Sequence, residues 1–316
     1  MSDKKLITVF GATGSQGGGL VQAILNDTGG EFSVRAVTRD PGSDKAKALA
    51  AAGAEVVEGN IDDYQSIKSA LTGAYGAYFV TFFWDHFSPE KEMEQASAMA
   101  KAADEAGLKH VIWSSLEDTR NWVPLDDDRM PTLNGKYKVP HLDGKGESEK
   151  FFTERNLPVT FLYASFYWDN MIHFGLGPKR GEDGILAIAF PLGDKKMAGI
   201  SADDIGKCAY GIFKEGDKGI GQTIGIAGDQ LTCTEMAEAL TEALGEKVIY
   251  YEMTPDQFRA LGFPGSDDLG NIFQFYRDFD EVCNSTRDVN RSKKLNPELK
   301  SFREWLSVNS SKIPLD

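Results

Sequence analysis

A doubly wound parallel α/β sheet with a second, smaller α/β lobe is the fold this sequence predicts, on three observations. A short apolar run, Leu6-Ile7-Thr8-Val9-Phe10, leads directly into the glycine-rich stretch Gly11-Ala12-Thr13-Gly14-Ser15-Gln16-Gly17. Behind it Leu20, Val21, Ile24 and Leu25 recur at helical spacing, and strand-like and helix-like segments then alternate as far as residue 164. Past residue 165 the rhythm breaks into aromatic clusters, glycine turns and long helical stretches, which marks a different unit. The boundaries so read are 1–164 for the sheet domain and 165–316 for a smaller substrate or partner lobe, with part of 185–230 returning to the sheet.

Each element has its own signal. Phe32 to Arg39 alternates like a strand, Asp40-Pro41-Gly42-Ser43 punctuates it, and an Ala-rich helical stretch runs to Ala52. A third strand is read over 54–59, followed by Asp63 as N-cap, Ile67 and Leu71 on one face and Gly73 as the stop. A fourth strand covers 77–81. Ser88-Pro89 opens a helix that runs past Met99 and Ala103 to Gly107. The fifth strand is 110–114, a helix is read over 146–155, and Val159 to Leu162 is the sixth strand. Strand and helix alternation of this kind demands right-handed parallel crossovers. In the second lobe Thr232 with Glu235, and Thr254-Pro255 with Gln257, fit capping boxes, so helices are expected over 233–244 and 255–261. Leu269, Ile272, Phe273 and Tyr276 supply an apolar face, and Phe302, Trp305 and Leu306 dock a final helix by core packing.

Composition narrows the partners. The 316 residues are 41% hydrophobic and 26% charged, enough for a large core. Thirty-four Lys and Arg against 48 Asp and Glu leave a formal charge of −14, which opposes contact with nucleic-acid backbones or anionic lipid. Cys208, Cys233 and Cys283 lack CxxC spacing and none of the four histidines is paired like a zinc ligand, so neither a disulfide scaffold nor a metal is expected. No apolar run approaches the ~20 residues of a membrane span, and Met1 to Lys5 leads straight into the first strand. A cytosolic or nuclear location is expected.

Chemistry is concentrated at strand ends. Glycine at 11, 14 and 17 lets the backbone turn tightly and approach a diphosphate, whose charge the amides of the following helix face; this is the Rossmann-type turn. Arg39, 28 positions after Gly11, stands where the adenosine ribose is inspected, and a cation there selects a 2′-phosphate. Asp40 competes, because a carboxylate accepts from a free 2′-hydroxyl; Lys45 and Lys47 nearby favour NADP over NAD. Asn60 and Ile61 follow the third strand, where an amide can bond the adenine edge and an aliphatic can cover its face, and Thr81 would lie beneath the nicotinamide ribose. Short-chain dehydrogenases use Tyr and Lys four apart, the Lys holding the ribose and lowering the tyrosine pKa. Here Lys145 has His141 at that spacing, so Lys145 can grip the ribose while the acid is replaced. His141 can donate a proton or act as a structural hydrogen-bonder, and Tyr137 is another donor.

GATGSQGG from Gly11, the Thr38-Arg39 strand ending, HLDGKGE from His141, Tyr167-Trp168-Asp169-Asn170 and the stretch Met253–Gly265 together resemble the NmrA-like atypical short-chain dehydrogenases, most closely the redox-sensor members. The resemblance implies an NADP(H)-binding protein without the dehydrogenase tyrosine. Its cofactor contacts, by matching position, are Gly11, Ala12, Thr13, Gly14, Ser15, Gln16, Arg39, Asn60, Ile61, Thr81, Lys145, Tyr167, Trp168, Asp169 and Asn170. Glu94 stands where the sensor carries lysine, and residues 118–139 hold an acidic, Pro-containing insertion with Leu125-Asp126-Asp127-Asp128. Three functions follow: a sensor or regulator whose small lobe or homodimer contact responds to NADP(H); an NADPH-dependent reductase of a small aromatic, carbonyl or quinone-type substrate using Lys145 and His141; and a protein-interaction regulator with a structural nucleotide. Phe82, Phe83, Trp84, Phe166, Tyr167 and Trp168 line a substrate pocket on the second reading and pack between lobes otherwise.

Overall fold

Seven parallel strands form the main sheet of the computed structural model, which describes residues 4–315. In chain order the strands are β1 (Lys5–Val9), β2 (Phe32–Thr38), β3 (Glu55–Glu58), β4 (Gly76–Phe79), β5 (His110–Ser115), β6 (Val159–Tyr163), β7 (Phe166–Tyr167), β8 (Lys179–Arg180), β9 (Leu186–Phe190), β10 (Lys196–Ile200), β11 (Thr223–Gly225), β12 (Asp229–Thr232) and β13 (Val248–Glu252). The main sheet runs β11-β6-β5-β4-β1-β2-β3. Its strand order reverses between β1 and β4, and the crevice outside their carboxyl ends is where such sheets take ligands. The central strands are buried on both faces, as the near-continuous apolar runs of β4 and β5 require.

The sheet is covered on both sides. On one face lie α1 (Ser15–Asn26) and α8 (Ala202–Glu215), whose Leu20, Ile24, Ile205 and Phe213 pack with Ile7, Val34 and Ile112. On the other lie α3 (Tyr64–Ala70), α4 (Pro89–Ala106) and α6 (Glu149–Thr153), which bring Ile67, Met99, Ala103 and Phe152 against Phe79 and Trp113. The remaining helices are α2 (Asp44–Ala51), α5 (Pro140–Glu147), α7 (Asn170–His173), α9 (Cys233–Leu244), α10 (Pro255–Arg259), α11 (Ser266–Asp278), α12 (Asp280–Thr286), α13 (Val289–Leu295) and α14 (Phe302–Asn309). A separate core holds Trp168, Phe190, Phe273, Phe302 and Trp305, beside two three-stranded sheets, β12-β10-β7 and β13-β9-β8. Among the described residues no helix is long and apolar enough to cross a membrane.

Caps fall where the sequence puts them: Asp63, Ser88, Thr232 and Thr254 each accept a first-turn amide, the last two in full capping boxes, and Gly107 ends α4 in the left-handed conformation. Three elements begin or end away from expectation. The fourth strand stops at Phe79, leaving Thr81 beyond it. The helix expected over 146–155 begins at Pro140, and it is interrupted at Ser148, whose hydroxyl donates back to the Gly144 carbonyl at 2.6 Å. A seventh strand, β11, pairs with β6 and lies within the 185–230 stretch expected to return to the sheet. The helix expected over 255–261 ends at Arg259.

Candidate functional site

At the carboxyl edge of β1 the chain turns through Gly11, whose φ of 66° is strained for any side chain and where an added β-carbon would lie 2.9 Å from the Val80 side chain. The Gly14 amide donates to the Gly11 carbonyl at 2.9 Å, and a β-carbon at Gly17 would strike that same carbonyl. The N-cap of α1, Gly14, supplies no capping side chain and the first turn carries no acid. Its first amides are therefore left for an anion. Gln16 is held in place: its Oε1 accepts from the Tyr78 and Ser114 hydroxyls, the latter at 2.9 Å, and its Nε2 donates to the Tyr167 hydroxyl. Burial pushes both tyrosines above their ordinary range, so they serve as neutral donors and acceptors.

At the tip of β2 the two rivals separate. Asp40 turns its carboxylate onto its own loop, accepting from the Gly42 amide at 2.8 Å. The Arg39 side chain is 78% exposed, with Asp85 3.6 Å away as its ion-pair partner. Beyond β3, Asn60 accepts from the Asp62 amide at 3.0 Å and Ile61 is half-buried against the α3–α4 core. A hydrogen bond from Gln95 and the ammonium of Lys91 hold the Asp62 carboxyl below the usual range.

α5 presents His141 and Lys145 one turn apart. The Lys145 ammonium, nearly buried, donates to the Thr81 hydroxyl at 2.7 Å and carbonyl at 3.3 Å, and pairs with Glu92 at 2.9 Å. Thr81 in turn donates to the same Glu92 oxygen at 2.6 Å, while the other Glu92 oxygen is buried with no partner among the described residues. The ring of His141 bonds through Nδ1 to Asp268 of α11, whose second oxygen accepts the His141 amide at 3.1 Å. Trp84 and Phe83 flank the imidazole at 5.0 and 5.9 Å between ring centres.

Several expected residues serve other ends. Tyr137 is not a free proton donor: it is buried, its hydroxyl donates to Glu90 at 2.9 Å, and burial with that carboxylate pushes it up to about 12. Trp168 is 2% exposed between Phe302 and Trp305, and Phe166 packs on Phe190 and Phe273, so both belong to the second core and not to a pocket wall. Asp169 accepts the Ala202 amide at 2.8 Å at the start of α8, and Asn170 opens α7. Of this stretch Tyr167 is the one bonded to the glycine turn. Glu92 and Asp268 went unrecognised in the sequence. Glu92 had a legible signal, since it falls on the Ala96, Met99, Ala103 stripe that α4 buries; Asp268 had none, because its partner lies 127 residues away.

A glycine turn and an uncapped helix at the switch point of a doubly wound parallel sheet define a Rossmann-type protein with an added lobe. The family model described as the NmrA-like family matches residues 3–306, and the chain belongs to that family. It is 31% identical to the NmrA-like family domain-containing oxidoreductase malD of Malbranchea aurantiaca, over 79% of this chain and 76% of that one. Among solved structures it resembles NmrA, a negative transcriptional regulator, in complex with NADP, with a TM-score of 0.79, 22% identity and coverage of 100% and 99%. It also resembles Citrobacter sp. triphenylmethane reductase complexed with NADP(H), with a TM-score of 0.74, 20% identity and coverage of 97% and 99%.

Proposed function

We propose that this chain binds NADP(H) and uses it to reduce a small planar acceptor. The observation that carries the reading is the buried Lys145 ammonium, one helical turn from His141 and bonded to Thr81 beyond β4, across the switch point from an uncapped glycine turn. The diphosphate would rest on the glycine turn 11–17 and the first-turn amides of α1, the 2′-phosphate on Arg39, the adenine against Asn60 and Ile61, and the nicotinamide ribose on Lys145 and Thr81, with Tyr167 bracing the turn through Gln16. Asp40 supports the choice of NADP, because its carboxylate is already committed to Gly42. Bound NADPH supplies a hydride; Lys145 orients the ribose and His141 gives the proton. The oxidoreductase designation of the malD relative and the NADP-bound neighbours support this reading. A cytosolic or nuclear location fits it, with the lobe beyond residue 165 holding the acceptor.

A second reading, a redox sensor, is favoured by one observation: Asp268 of the second lobe bonds both the ring and the amide of His141 on the helix that carries Lys145. Occupancy at Lys145 would then be felt in α11, provided the nucleotide binds two arrangements with different affinity. Calorimetry with NADPH, followed by loss of NADPH absorbance with quinones, aldehydes and imines, decides between the two. Turnover that vanishes in Lys145→Ala supports the reductase; tight binding with no turnover supports the sensor; no affinity for any adenine dinucleotide overturns both.

A further inference from the structure

The Asp268 carboxylate is almost fully buried, and both of its oxygens are spent on one residue, His141. Its helix is tied down along the same stripe. Three and six positions further along α11, Asn271 donates to the Pro131 carbonyl at 3.0 Å and the Lys138 carbonyl at 2.5 Å, and Gln274 donates to the Arg129 carbonyl at 2.6 Å. Arg259 clamps the same two side chains from the other side at 2.8 and 2.9 Å. All three residues of this polar stripe are at least nine-tenths buried, so Asp268 is presented to the start of α5 by a rigid frame.

The imidazole is equally constrained. Trp84 and Phe83 pack beside it at tilts of 44° and 48°, and the side chain retains 12% exposure. An ionised carboxylate only accepts, so the hydrogen between His141 and Asp268 sits on Nδ1. Nε2 has no hydrogen bond to a described residue and is the nitrogen left to exchange a proton with a ligand. Lys145 follows one turn later on the same helix face.

We infer that Asp268 is a positioning residue: it keeps the Nδ1 hydrogen of His141 directed at itself, so that Nε2 takes up the exchangeable proton and the imidazolium form aims Nε2–H at the oxygen or nitrogen of the acceptor's reducible double bond. This inference rests on the reductase reading. The acceptor's C=O or C=N carbon takes the hydride that bound NADPH supplies, its π electrons pass to the heteroatom, and the Nε2–H bond breaks as the new O–H or N–H bond forms. His141 ends neutral, still donating through Nδ1 to Asp268, and recovers its proton from water. One NADPH, one acceptor and one proton give NADP⁺ and the reduced acceptor. A buried carboxylate behind an imidazole holds tautomer and orientation and balances the imidazolium charge, and such support carries a large share of a general acid's effect.

The test pairs a spectrum with kinetics on the full chain. Four histidines are few enough to assign in ¹⁵N-histidine-labelled protein, with His141→Gln marking the one signal. His141 is expected as the Nδ1–H tautomer in the wild type, shifting toward Nε2–H in Asp268→Asn, whose amide can donate to Nδ1. With the acceptor turned over fastest, Asp268→Asn is expected to lower kcat by about 10²–10³-fold, with NADPH affinity and KM moving less than about threefold. Asp268→Glu should restore at least about tenfold, and His141→Gln combined with Asp268→Asn should be no worse than His141→Gln alone. A wild-type Nε2–H tautomer, or an Asp268→Asn kcat within about threefold of wild type, overturns the inference while leaving the reductase reading intact. NADPH binding without turnover of any acceptor overturns that reading, and the proton-donor role falls with it.

Discussion

Arg39 and Asp40 are neighbours with opposite consequences for an adenosine ribose, and only the direction of each side chain separates them. With Asp40 tied to Gly42 and Arg39 exposed, Arg39→Ala is expected to weaken NADP(H) binding by about 1.5–3 kcal/mol, the scale of a charge-assisted contact, with little effect on NAD(H). Equal losses by calorimetry would refute the assignment. His110 offers a test of stability. Thr160 spends its hydroxyl hydrogen on the Gly219 carbonyl at 2.7 Å, so it must accept from His110 Nε2, 3.0 Å away. Burial lowers this histidine to about 4, so it stays neutral in the fold and its contribution is complete above the unfolded value near 6.5. That contribution is lost as pH falls from there toward 4, because the unfolded chain takes up the proton first, and it amounts to roughly 3 kcal/mol at most. Urea titrations at pH 7 and pH 4.5 should show the loss, and His110→Gln should shrink the difference between them.

Among the elements, α1 and α8 approach backbone to backbone. A β-carbon at Gly19 would strike the Asp203 carbonyl, and one at Gly206 would strike the Leu20 amide and the Gln16 carbonyl. The helix that carries the candidate phosphate site is thus seated by a glycine of a helix nearly two hundred residues later. Gly206→Ala is expected to cost at least about 2–3 kcal/mol, since backbone on both sides leaves nothing flexible to yield, and it should also weaken NADPH binding by displacing the first turn of α1. Thermal unfolding with and without NADPH reads both effects; an unchanged midpoint would mean that the helices slide apart at no cost. The acidic insertion at 118–139 is likewise no loose loop. Met130 and Val123 enter the second core, Lys138 donates to the Asp127 and Met130 carbonyls, both at 2.8 Å, and buried Asp143 accepts the amides of Thr119, Lys138 and Val139.

Across the whole molecule, one buried ion pair joins the two cores. Arg287, past α12, forks onto Glu117, just beyond β5, with one contact at 2.9 Å, and also donates to the Ala164 carbonyl at 2.9 Å. Both side chains are essentially inaccessible, so the pair's worth lies in each charge answering the other. Arg287→Met should cost about 3–5 kcal/mol by stranding Glu117, whereas adding Glu117→Leu to it should recover most of the loss. Denaturant unfolding of the two variants measures the difference; a double variant as unstable as the single would mean that the cost is packing, not charge.

What the sequence determined by itself was local. The glycine turn, the caps at Asp63, Ser88, Thr232 and Thr254, the parallel strands and the spacing of His141 to Lys145 follow from backbone sterics and period, which a few neighbouring residues dictate. Tertiary structure decided what depends on partners distant in the chain. It buried Glu92 under Lys145, brought Asp268 to His141, sent Trp168 into a core and committed Tyr137 to Glu90. A hydrogen bond or ion pair between residues dozens of positions apart leaves no periodic trace in either segment, and only the packing of one element on another makes such a pair.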